Sequence, residues 1–193
     1  MAKKGLSSDS IIAEAVSLIE EIGYENFSLH TLAKKLGVKT ASLYNYIENV
    51  AQVSMEIGKF AISQLCQAIE LATKGVTDER LVLMQIATAY RKYVVQHPEL
   101  YKVVINMPSI HGKEHVQVLL NLMSEALKPF SENQQDHLMK LRAYRSMIHG
   151  FVTLETSGYF EFAILTIDES YMGVIRTYVD TLQLAKNPLE EFG

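Results

Sequence analysis

The chain has 193 residues, 48% of them hydrophobic, one cysteine and a formal net charge of −4. This length can bury a sizeable core, either as one domain or as a small module joined to a larger one. A single cysteine excludes an intramolecular disulfide and a cysteine-based zinc site, and the mild acidity excludes a global field that would attract a polyanion. There is no leading apolar segment of signal type and no uninterrupted apolar run of about 18 residues, so a soluble, cytoplasmic protein is expected. Cys66 lies in the apolar helical stretch FAISQLCQAI and reads as a small buried hydrophobe.

Periodicity is helical nearly everywhere, without convincing strand alternation. A first helix begins near Ser7 or Ser8, carries Ile12, Val16, Ile19 and Ile22 on one stripe, and stops at Gly23. The segment Ser28 to Ile47 then reads as two short helices around a tight turn. Ser28 caps the first; Gly37 ends it, where a positive φ is available; Thr40 or Lys39 opens the second. Leu32, Leu36, Val38, Leu43 and Tyr46 are spaced to point inward, and Ala33 and Gly37 suit a close crossing. This is a helix-turn-helix by apolar pattern and by turn chemistry.

A fourth helix starts after Asn49 and continues through Val53, Ile57, Phe60 and Leu65 to about Thr73. Asp78 caps a fifth, which ends before His97-Pro98, and Pro98 opens a sixth that reaches about Asn106. A seventh spans about Lys113 to Lys128, an eighth about Asn133 to Ser157, and a ninth about Asp168 to Ala185. Thr166 and Glu169 form a capping box at the start of the ninth. Its stripe of Tyr171, Val174, Ile175, Tyr178, Val179 and Leu182 fits either monomer core or a dimer seam.

Charge discriminates a nucleic-acid surface from a merely solvated helix face. Between Phe27 and Ile47 there are three lysines (Lys34, Lys35, Lys39), one histidine (His30) and no Asp or Glu. A solvated face would carry mixed signs, whereas an acid-free window suits phosphates. Lys3 and Lys4 add a short basic lead-in. No arginine precedes Arg80, so bidentate Arg–guanine readout by this segment is excluded.

The run EEIGYENFSLHTLAKKLGVKTASLYNYI resembles the N-terminal domain of TetR/AcrR-type transcriptional regulators, through Gly23, Phe27, Ala33, Gly37, Val38, Leu43 and Tyr44. The stretches Ala89 to Tyr101 and His149 to Glu161, with the Asp-Glu-Ser start of the last helix at Asp168, resemble the Trp-His-Gly subgroup of that family. The subgroup's tryptophan is Ile148 here. Many members open the fourth helix with a phosphate-binding lysine, where this chain has Val50. The resemblance implies base contact by His30 from the helix before the reading helix.

Other chemistry is thinly represented. His111-Gly-Lys-Glu114-His115 matches the H-x-x-E-H order of one metallopeptidase class, but His111 precedes a glycine and no third ligand follows. His149 reads as a core histidine satisfied by a neighbour, or more sharply as a pocket residue. No nucleophile–base order and no glycine-rich phosphate loop stands out. No enzymatic activity, metal or other cofactor is expected.

The expectation is therefore an all-α protein of about nine helices, with a three-helix DNA-binding module at residues 1–48 and a larger helical effector-binding and dimerisation domain at 49–193. Ser28, His30, Lys39, Thr40, Ala41, Ser42, Tyr44 and Asn45 are the DNA-binding candidates, with the second helix of the motif, Lys39 to Ile47, in the major groove. Tyr171, Val174, Ile175, Tyr178 and Leu182 are candidates for a homodimer seam. Phe60, Met84, Tyr101, Met107, His149 and Phe151 are candidates for the pocket of a small, mostly apolar effector, which suits a domain rich in adaptable Met and amphipathic Tyr. The expected partners are operator DNA and a second copy of the chain, with a repressor the expected function. The competing reading is a structural helical dimerisation protein without DNA binding; a metal-dependent hydrolase is a distant third.

Overall fold

The computed structural model describes residues 6–106, 113–160 and 164–185, with the side chains of 113–115 excepted. Among these residues there is no strand. The helices are α1 (Ser8–Ile22), α2 (Leu29–Leu36), α3 (Thr40–Leu43), α4 (Val50–Thr73), α5 (Glu79–Gln96), α6 (Pro98–Asn106), α7 (Lys113–Leu127), α8 (Gln134–Thr156) and α9 (Ile167–Thr181). Short 3-10 turns occupy Tyr24–Asn26 and Lys128–Phe130.

Most helix starts are fixed by a side chain within three residues. The hydroxyls of Ser7, Ser28 and Thr166 accept from backbone N–H groups of α1, α2 and α9, each in a reciprocal capping box. Asn49 and Asp78 accept from Gln52 and Leu81 N–H groups in the first turns of α4 and α5. Two ends differ from expectation. The α-helical bonding of α3 stops at Leu43, and Tyr44–Tyr46 form a turn that Ile47 closes by donating to the Leu43 carbonyl at 3.1 Å. Helix α9 stops at Thr181 because Leu182 turns to extended backbone, and the Arg80 guanidinium takes the carbonyls of Val179 and Leu182.

The chain forms two compact units: Met1–Ser63 with His97–Val116, and Gln64–Gln96 with Gln117–Gly193. In the first, Ile11, Ala15, Leu18 and Ile19 of α1 close on Leu29, Leu32 and Ala33 of α2, Leu43, Ile47, and Val53 and Ile57 of α4. Leu100 and Val103 of α6 complete this core, so the packed unit reaches beyond residue 48 to elements distant in sequence. Helix α6 is also held by polar contacts: Glu99 Oε2 accepts from Tyr24 N–H at 2.8 Å, and His97 Nδ1 lies 2.6 Å from Glu20 Oε1. A Cβ at Gly23, where φ is 84°, would sit 3.3 Å from the Glu99 carboxylate.

The core of the second unit is organised by tyrosines that span helices. Tyr144 donates to the carbonyl of Leu83, Tyr171 to Ala87 at 2.7 Å, and Tyr178 to Lys140 at 2.8 Å, tying α5, α8 and α9 together. Their rings fill the core and their hydroxyls end on backbone carbonyls, so these three serve packing. Cys66 is buried as well, and burial pushes its thiol up to about 11, which leaves it a protonated, inert small hydrophobe.

His137 is buried at the junction of α7 and α8. Its Nε2 is 2.8 Å from Ser124 Oγ, and its Nδ1 is 3.0 Å from Ser131 Oγ, which itself donates to the Leu127 carbonyl. Ser131 Oγ therefore accepts from Nδ1–H, and Nε2 accepts from Ser124. Burial, then the Lys128 charge, hold His137 below the ordinary 6.5; burial and Arg145 do the same for His149. A histidine whose folded value is depressed has no pH effect on stability well above 6.5. As pH falls past 6.5 the unfolded chain binds protons that the folded one refuses, so stability drops. Urea denaturation should show stability declining between pH 7 and 5.5, by at most about 1.4 kcal/mol per pH unit for each histidine. The slope should shrink in His137→Gln, and an unchanged slope in that variant would remove His137 from this account.

Candidate nucleic-acid interface

The turn between α2 and α3 is set by Gly37, at φ 70° and ψ 30°. Gly37 N–H donates to Lys34 O at 3.2 Å and Val38 N–H to Ala33 O at 3.0 Å, the paired bonds of a Schellman end. Nothing lies within 4 Å of a Cβ built at Gly37, so this glycine is required by backbone conformation rather than by a close helix crossing. Ala33 is the small residue that packing demands, and it is buried between the helices.

The turn leaves one continuous outer face. His30 and Lys34 of α2, then Lys39, Ala41, Tyr44 and Asn45, are exposed; Ser28, Thr40 and Ser42 are half-buried at its edge. Ser28 Oγ accepts from Thr31 N–H at 3.1 Å, so its side chain is held in the capping box of α2. Tyr46 does not point inward: it is 43% exposed beside Tyr44 at 55%, and Ile47 fills the core position. Ile47, four residues after the buried Leu43, lies on the same side as Leu43. Tyr46 and Lys34 thus join the outer face. Both are visible in the sequence, but their direction is set by the packing of α2 and by the turn at 44–46.

The three lysines of the acid-free window separate into two roles. Lys35 is folded back onto α1, where its ammonium lies 2.8 Å from Glu21, 3.3 Å from Glu14 and 3.1 Å from Ser17 Oγ. Those carboxylates, Glu21 first, hold its pKa above the ordinary value. Lys34 and Lys39 make no ion pair with another described residue, which leaves two cations and a histidine facing outward around α3. Val50 at the start of α4 is exposed and adds no charge.

The other candidates fall elsewhere. Phe60 and Tyr101 belong to the first unit, the former exposed and the latter buried; Met84, His149 and Phe151 belong to the second and are half-buried. Met107 and the side chains of His111, Glu114 and His115 lie outside the described residues. Two grooves in the second unit, of about 310 and 270 Å³, are lined by none of these candidates. On α9, Tyr171, Ile175, Val179 and Leu182 are buried within the chain's own unit, Tyr178 is half-buried against Tyr144, and Val174 is exposed. Gly173, Val174 and Thr177 are the exposed residues beside this stripe.

Comparison with known proteins agrees with this geometry at both ends of the chain. Residues 11–48 match the family of bacterial regulatory proteins of the tetR family, and residues 83–178 match the tetracyclin repressor-like C-terminal domain. The HTH-type transcriptional regulator YobS of Bacillus subtilis is 26% identical over 184 residues, covering 92% of this chain and 93% of that protein. The HTH-type transcriptional regulator Rv0681 of Mycobacterium tuberculosis is 26% identical over 157 residues, covering 79% and 72%. Among solved structures, a variant of TetR from Acinetobacter baumannii AYE in complex with minocycline has the same fold, with a TM-score of 0.71 at 14% identity over 97% of this chain and 100% of that one. With an N-terminal helix-turn-helix and a helical C-terminal region matched in that order, the chain belongs to the TetR family of transcriptional regulators.

Proposed function

We propose that the protein is a dimeric repressor that binds a palindromic operator through two copies of the α2–α3 face and leaves it when a small effector binds the helical C-terminal region. The observation that carries the DNA half of this reading is the outer face of α3. With the adjoining residues of α2 it has no acid, two outward lysines (Lys34 on α2 and Lys39 capping α3), and a row of small and polar side chains, Thr40, Ala41, Ser42 and Asn45, at a size that admits base edges. Tyr44 and Tyr46 supply hydroxyls at phosphate height, and His30 is a base-contact candidate from α2. Two half-sites on one side of B-DNA recur about every 34–36 Å, so a change in the spacing of the two heads releases the operator. A ligand achieves this only through different affinity for the two spacings.

The effector half rests on family likeness, the solved relative with minocycline being one instance, and on the half-buried, mostly apolar Met84, His149 and Phe151 of the second unit. We also assign the second unit to the Trp-His-Gly subgroup, on His149-Gly150 and the flanking stretches. For the dimer, we place the contact on the open sides of α8 and α9.

Mobility shifts on the protein's own promoter region, repeated across salt, test the reading. Each phosphate contact contributes about 0.9 to the slope of log K against log salt. Lys34→Gln is expected to lower that slope by about one, and Lys35→Gln to leave it unchanged while weakening the α1–α2 contact. Binding that is absent, or insensitive to salt, would overturn the proposal.

A further inference from the structure

We propose that the groove between α5 and the start of α9 is a binding site for a small amphipathic carboxylate, held by Arg91 and Lys92 over an apolar floor of Val95, Tyr171 and Met172. The groove has a volume of about 270 Å³, just under the range of about 300–1,000 Å³ usual for small-molecule sites, which suits one short chain or one ring. No member of the effector candidate set lines it, and binding there is independent of whether the chain represses.

The site is built before any ligand arrives. Arg91 is 16% exposed and donates through Nε and Nη2 to Glu155, itself 10% exposed, at 2.7 Å each. This bidentate fork fixes the guanidinium plane, which also lies over the Tyr171 ring at 5.2 Å. Lys92, next in the chain, is exposed at the groove and makes no ion pair with another described residue.

The chemistry of the mouth is already demonstrated by the chain itself. Asp168 Oδ1 sits 2.6 Å from Arg91 Nη2, yet the Asp168 side chain is 81% exposed. It is a carboxylate tethered at the groove's edge, held on one side only, by an ion pair of the solvent-screened kind that contributes little. A free carboxylate with an apolar body can take its place on Arg91, gain Lys92 as a second cation and cover Val95 and Met172. The N-terminal end of α9, whose dipole favours an anion, lies beside the same spot. An amine finds no comparable arrangement, because Glu155 is fully committed to Arg91 and Asp168 would have to leave Arg91 to meet it.

Calorimetric titration of the full-length protein with hexanoate, hexanamide and hexylamine tests this. Hexanoate should bind, and hexanamide should bind about tenfold more weakly or not at all, the scale of a charge-assisted hydrogen bond. Lys92→Met should weaken hexanoate by up to about fivefold, the scale of one exposed ion pair, and Asp168→Asn should tighten it by a similar factor. Val95→Trp, at an exposed position, should fill the groove and abolish binding with an unchanged melting temperature. Failure of hexanoate to bind at millimolar concentration would overturn the assignment. So would equal affinity for hexanamide, preference for hexylamine, or indifference to all three substitutions.

Discussion

Gly150→Arg combined with Val174→Glu is expected to yield a folded monomer whose operator affinity has fallen by at least about 100-fold. Val174 is exposed and Gly150 is half-buried. A Cβ at Gly150, or at Gly173 beside Val174, meets nothing within 4 Å, so neither glycine is needed for packing within the monomer. A glycine inside a helix destabilises it by roughly 0.5–1 kcal/mol relative to alanine. On the proposed seam, two such residues on neighbouring helices would let a second chain approach closely. Around them, Met139 and Leu154 of α8 and Val174 of α9 expose apolar surface, interleaved with the small Ala143, Ser146 and Thr177. Two α8–α9 pairs related by a two-fold axis would bury these faces as a four-helix contact. Arginine and glutamate there place unpaired charge in the seam while leaving the inward Tyr171, Ile175 and Val179 untouched. The affinity loss follows from avidity, since linking two half-site contacts gains a factor of about 10² to 10⁴. Sedimentation equilibrium with circular dichroism checks the result. A folded dimer after both changes would put the seam on another surface.

The stripe on α9 shows where sequence reading stops. Periodicity identifies an apolar face, and the face exists, but whether it meets its own chain or another depends on α5 and α8, which arrive from about 80 and 40 residues away. In the structure Tyr171 reaches the Ala87 carbonyl and Tyr178 the Lys140 carbonyl, so the stripe is the monomer's own. By contrast, the caps at Ser7, Ser28, Asn49, Asp78 and Thr166 are legible because donor and acceptor lie within three residues of each other. The all-helical fold and the helix-turn-helix are legible for the same local reason.

Long-range pairings account for the remaining differences. Lys35 is indistinguishable from Lys34 in sequence until α1 brings Glu14 and Glu21 against it. The end of α9 depends on Arg80, about 100 residues earlier. Tyr46 is exposed where the spacing places it inward, and Ile47, four residues after Leu43 and bonded to its carbonyl, takes the core position. The end of α3 is a boundary that neighbouring aromatic residues of middling helix propensity leave open. The role of Gly37 is a subtler case. Its identity is readable, but the choice between backbone conformation and close packing needs the surrounding space to be seen.

Within the DNA face, Thr40→Ala and Tyr44→Phe should separate reading from positioning. Thr40 opens α3, half-buried at the end nearest Lys39, and Ala41 beside it is exposed. A helix entering the major groove by this end brings those two side chains to base edges. Removing the Thr40 hydroxyl and methyl should redistribute affinity among operators that differ at one base pair, by about 1–3 kcal/mol at the base it reads. Tyr44 lies after the last α-helical residue of α3, with its ring outward, where a phenol meets the backbone rather than a base. Loss of its hydroxyl should lower affinity for every sequence by about 1 kcal/mol, the scale of one hydrogen bond, and leave the ranking of operators intact. Fluorescence anisotropy against a panel of single-base operator variants resolves the two patterns. If Thr40→Ala weakens all operators equally, or Tyr44→Phe reorders them, the helix enters the groove in a different orientation. If neither substitution changes binding, α3 is not the element that reads the DNA.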